Sequence, residues 1–134
     1  MLGDQIGEEK GQVTGVRVLS TDGGHPITEA SFESKGTLLG VEIDDMGTYE
    51  TVVRPDGTQW GEGQGFSITK EGEIVTWHGS GVGHFGDDGG IDWRGALYFE
   101  TAAPRFAQLT GIAALFEFHV AADGKAAAKL YEWK

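Results

Sequence analysis

Between Trp60 and Thr101 the chain alternates with period two, so that Gly61, Gly63 and Gly65 fall on one side of a first run and Gly79, Gly81 and Gly83 on one side of a second. That period marks strands, and it puts each glycine row on a single face. The intervening Thr69-Lys70-Glu71-Gly72-Glu73 has the chemistry of a three-residue hairpin loop closed by a left-handed glycine. Setting Thr69 opposite Glu73 and counting back pairs Gly63 with Gly79, Gly61 with Gly81 and Gly65 with Trp77, so the two rows share a face. Arg54-Pro55-Asp56-Gly57-Thr58 has the same loop chemistry and pairs Tyr49 with Gly63, Thr51 with Gly61 and Val53 with Gln59. Tyr49 therefore joins the glycine face.

Turn type does not fix the register across the Gly86–Gly90 loop. Beyond it, Ile91, Trp93, Gly95, Leu97 and Phe99 alternate with Asp92, Arg94, Ala96, Tyr98 and Glu100, the first set inward and the second outward. If the glycine face is also inward, Trp77, Phe85, Trp93, Leu97 and Phe99 surround a strip almost free of side chains. Large residues beside glycines either fill the taper of a small barrel or wall a cavity.

Along the rest of the chain, the polar, glycine-punctuated residues 1–11 read as a loose leader or a strap. Strands are predicted over Gln12–Ser20, Ile27–Lys35, Thr37–Asp44 (joined to the one before at Gly36) and Met46–Arg54. After Thr101 the pattern changes: Pro104, the alanines, Phe106 three residues before Leu109, and Gly111 predict a short helix that plugs one end or packs outside. Ile112–Ala121 and Ala126–Lys134 return to period two around Asp123-Gly124. The sum is an all-β antiparallel up-and-down barrel of about eight to nine strands with one short helix before the last hairpin, a sandwich being the alternative.

The chain is 134 residues long, which fits one domain over residues 1–134 with a real core, and its 23 glycines favour an all-β fold with many bends. Ten basic residues against 21 acidic ones give a net charge of −11, which argues against nucleic-acid and anionic-membrane partners. Cysteine is absent, so disulfides, thiolate metal sites and cysteine nucleophiles are excluded together. With neither a signal-peptide pattern nor a long apolar run, a soluble cytoplasmic protein is expected.

The succession Gly61-x-Gly63-x-Gly65, Trp77-x-Gly79-x-Gly81-x-Gly83, Trp93-x-Gly95, Tyr98-x-x-Thr101 and Leu109-x-Gly111 resembles the allene oxide cyclase-like barrels, above all their uncharacterised bacterial relatives, over roughly Tyr49 to Trp133. The resemblance implies an eight-stranded antiparallel barrel, often oligomeric, with an internal cavity. In the plant cyclases of that family the cavity holds a lipid-derived epoxide, and in similar bacterial cyclases it folds a polyene. No catalytic motif of those enzymes aligns here residue by residue.

Candidate chemistry is sparse. His25, His78, His84 and His119 show no metal-binding spacing. The glycine runs lie within strands, with no lysine and helix following to form a phosphate loop. Ser80 is mid-strand, away from any nucleophile elbow. Tyr49 is the polar group best placed on the glycine face, suited either to orienting a ligand or to core packing. Glu132 points inward if the Asp123-Gly124 turn is a three-residue loop, and Trp133 takes its place if the loop has two residues. A buried Glu132 would have a raised pKa and could serve as a general acid or base.

Three readings follow. One is binding of a small apolar or polyene-like molecule in a cavity lined by Tyr49, Trp77, Trp93, Leu97 and Phe99. The second is a cofactor-independent isomerase or cyclase, with Tyr49 and Glu132 as catalytic residues. The third is a filled scaffold. None needs a metal or a cofactor. The outward Trp60, Phe66 and Ile68 predict a homo-oligomer.

Overall fold

Short glycine-closed loops leave each strand beside its predecessor, and repetition of that step curls the chain into a closed antiparallel barrel in which the last strand pairs with the first. In the computed structural model, which describes residues 1–134, the strands are β1 (Leu2–Ser20), β2 (Ile27–Leu38), β3 (Val41–Val53), β4 (Gln59–Ile68), β5 (Ile74–Phe85), β6 (Ile91–Thr101), β7 (Ala114–Val120) and β8 (Lys125–Trp133). Two 3-10 segments, Asp22–Gly24 and Pro104–Gly111, complete it.

The registers counted from the turns hold: Gly63 faces both Tyr49 and Gly79, Gly61 faces Gly81, and Gly65 faces Trp77. Gly57 and Gly72 close their loops at φ 88° and 84°, where a side chain would be strained. The Gly86–Gly90 turn proves to be a loop of the same kind, its ends joined by the Gly86 N–H donating to the Gly90 carbonyl at 2.8 Å, so that Phe85 pairs with Ile91. Across the β7–β8 turn Ala121 bonds Lys125, which makes the three-residue alternative the actual one and pairs Glu132 with Ala114.

Two expectations change. The strands predicted over residues 27–54 are two rather than three, because the chain turns at Leu39-Gly40 and not at Gly36 or Asp45. Both turn residues have positive φ, 49° and 76°. Leucine is a poor residue for that conformation, but the Leu39 N–H donates to the Ile6 carbonyl at 2.8 Å and its side chain packs on the core. Tertiary contacts hold a turn that local propensity does not advertise. The N-terminal residues, expected as a loose leader or a strap, are strand: β1 starts at Leu2 and pairs with both β2 and β8, closing the barrel.

The segment Pro104–Gly111 is a 3-10 helix, whose three residues per turn stack Phe106 directly under Leu109. Both side chains are fully buried, clustered with Ile6, Leu38, Ile43, Val75 and Leu130. The helix therefore plugs the barrel end that carries the β2–β3 and β4–β5 turns.

Candidate functional site

Inward-facing side chains decide whether the glycine strip is empty. The Trp77 ring lies against Gly47 and Gly65, and Trp93 against Gly61 and Gly83. Phe32 stacks with Trp77 (ring centroids 6.1 Å apart, planes at 24°), while Tyr49 meets Trp93 edge-on at 5.9 Å. The bare strands are thus the notches into which large rings fit. A cavity of about 90 Å³ remains between them. Where β4 and β5 carry only glycine toward the interior, Glu62 and Ser80, whose own side chains belong to the outer face, contribute to its wall.

One end of this apolar space is acidic. Glu9 of β1 and Asp45 of β3 are both buried, at 7% and 5% exposure, and both line the cavity. Each pairs with β2, Glu9 opposite Gly36 and Asp45 opposite Ser34, so the side-chain-free Gly36 lets the two carboxyls approach over the intervening strand. Asp45 Oδ1 accepts hydrogen bonds from Ser67 Oγ at 3.2 Å and from the Trp77 indole N–H at 2.9 Å. Glu9 has no such set of donors. Burial first, and then the charge of Asp45 and the hydrogen bond to it, push the Glu9 carboxyl up to about 9. Glu9 therefore keeps its proton at neutral pH.

Of the residues singled out from the sequence, Tyr49, Trp77, Trp93, Leu97 and Phe99 all line the cavity. Burial alone pushes the Tyr49 phenol up to about 12, so it stays neutral throughout the ordinary pH range. Glu132 is on the inward register but at the barrel rim, outside the cavity lining, and reaches Lys134 Nζ at 3.9 Å. The structure does not bring Tyr49 and Glu132 together. Phe85, expected beside the glycine strip, is 57% exposed at the end of β5. On the outer face Trp60 lies beneath the Arg54 guanidinium and donates to Glu62, while Phe66 and Ile68 are half-buried. No group of three metal-ligating side chains occurs.

Sequence reasoning missed Glu9 and Asp45. Glu9 lies in the polar stretch D-Q-I-G-E-E-K-G, and Asp45 at a position read as a break between strands. The available signal was alternation: Ile43, Asp45, Gly47 and Tyr49 share a face, and Tyr49 was already placed inside.

No family model matches the sequence, and no curated protein matches it. Solved structures do. A protein of unknown function from Clostridium acetobutylicum superposes with a TM-score of 0.84 at 13% identity over 98% of each chain. A β-barrel-like protein from Acinetobacter baumannii gives 0.84 at 13% identity over 100% of this chain and 96% of that one. An enzyme from Penicillium herquei gives 0.67 at 11% identity over 98% and 96%. At these identities the likeness is one of fold. No helix of the chain is long and apolar enough to cross a membrane.

Proposed function

We propose that this protein binds a small, largely apolar molecule inside the barrel. The observation that carries the reading is the cavity itself, walled by Phe32, Tyr49, Trp77, Trp93 and Phe118. Concave apolar space with a few convergent polar groups is the usual form of a ligand site. Its size constrains the occupant: 90 Å³ is less than the roughly 150 Å³ dry cavity that takes up benzene, so a polyene would enter only if rings moved aside. Native mass spectrometry of the protein from its own cells, followed by isobutanol titration read by tryptophan fluorescence, tests the reading. Expected are a stoichiometric bound molecule or saturable isobutanol binding, both weakened by Leu97→Phe, which fills the space. An empty protein that does not take up isobutanol leaves only the scaffold reading.

A second reading is a cofactor-independent isomerase of the allene oxide cyclase-like kind. It is favoured by the Glu9–Asp45 pair, an acid and its base side by side at the cavity wall. Such an enzyme would speed exchange of the α-protons of 2-butanone into D₂O, and Glu9→Gln would remove the effect; no acceleration by the wild-type protein counts against it. We also propose cytoplasmic function, and self-association through the outer face where Phe66 and Ile68 adjoin the exposed Met46 and Ile74. Sedimentation showing only monomer would refute the association.

A further inference from the structure

We propose that the cavity's occupant is a small organic cation, a primary alkylamine bound as its ammonium ion with its apolar body against the aromatic rings and its N–H groups on Glu9 and Asp45. This rests on the binding reading above and names the ligand class.

Charge balance carries the argument. Two carboxyl groups, Glu9 and Asp45, lie buried together at one end of the cavity. Buried charges are ordinarily paired with an opposite charge or a metal. None of the chain's eight ion pairs includes Glu9 or Asp45. The neighbours that face them are Gly36 and Ala128 beside Glu9, and Ser34 and Ser67 beside Asp45, all uncharged. The other titratable groups in the cavity lining are Tyr49 and Glu62, neither of them cationic. Asp45 is stabilised by neutral donors only, Ser67 and Trp77. The structure thus provides a buried acidic pair with no counter-ion of its own, next to an unfilled space.

The walls favour the same sign. Ring faces are electronegative, and a cation among several aromatic rings is attracted by each; Phe32, Tyr49, Trp77 and Trp93 supply such rings here. Outside, the chain's net charge of −11 raises the local concentration of cations and repels anions. A neutral alcohol would gain from neither effect, and a carboxylate would be opposed by all three.

A primary ammonium suits this end of the cavity, because its several N–H groups donate to the carboxyl oxygens of Glu9 and Asp45 while its positive charge offsets the acidity there, with no proton having to leave.

The test presents three head groups on one apolar body: isobutylamine, isobutanol and isovalerate, each titrated calorimetrically into the intact protein. Expected are amine binding at least about tenfold tighter than alcohol and no isovalerate binding. The double variant Glu9→Gln, Asp45→Asn keeps the shapes and removes the charge. It should lose the preference for amine over alcohol. Alcohol binding as tight as amine in the wild-type protein, or binding of isovalerate, overturns the proposal while leaving the cavity reading intact. Failure of all three probes to bind overturns both.

Discussion

The indole N–H of Trp77 on β5 donates to Asp45 Oδ1 on β3 at 2.9 Å, reaching across β4 where Gly65 offers no side chain. One bond thus ties an aromatic wall of the cavity to its acidic end. Trp77→Phe keeps most of the ring and leaves the buried carboxylate one donor short, which should cost about 1–3 kcal/mol in urea unfolding. A smaller loss would mean that water replaces the indole.

The Glu9 proton makes stability depend on pH. Its folded-state pKa, about 9, lies above the ordinary glutamate value of 4.5, so the native state binds the proton more tightly than the unfolded chain does. The stabilisation is full below about pH 4.5 and is lost as pH rises through about 9. Glu9→Gln should flatten this slope and raise stability at pH 8 by at least about 2 kcal/mol relative to wild type. Parallel stability curves for the two proteins between pH 5 and pH 9 would contradict the raised Glu9 pKa.

Gly47 measures how tightly the interior is filled. A methyl group there would come within 2.5 Å of Trp77 Cζ2 and 2.7 Å of Phe32 Cε1. Gly47→Ala should destabilise by about 1–3 kcal/mol, as overpacking does. Gly15, with nothing within 4 Å of such a methyl, is the control; Gly15→Ala should be neutral or stabilising by about 0.5 kcal/mol. Equal effects at the two sites, read by thermal melting, would show that the rings yield.

The plug helix contributes stability through two side chains. Phe106 has no solvent exposure, and Phe106→Ala should cost about 3–5 kcal/mol in denaturant unfolding. Increased binding of a hydrophobic dye would accompany it, because the barrel end is uncovered. A cost below about 1 kcal/mol would mean that the helix is dispensable.

Nearest-neighbour register was legible in the sequence because it depends on local chemistry. Pro55 with Gly57, and Gly72 before Glu73, define their loops, and the pleat then carries Tyr49 to Gly63 and Gly63 to Gly79 with no long-range information. The same period put Trp77, Trp93, Leu97 and Phe99 inside. The tertiary structure decided what lies across the barrel. Glu9 and Asp45 are on strands that do not pair with each other, and they meet only because both flank β2 beside the bare Gly36. Glutamate in a polar stretch reads as solvated, and closure of β1 onto β8, which buries it, is a contact between the two ends of the chain. Whether the glycine strip would be empty was likewise undecided until the Trp77 and Trp93 rings were placed. Side-chain packing across a closed sheet depends on curvature and on facing residues together, and alternation along one strand records neither.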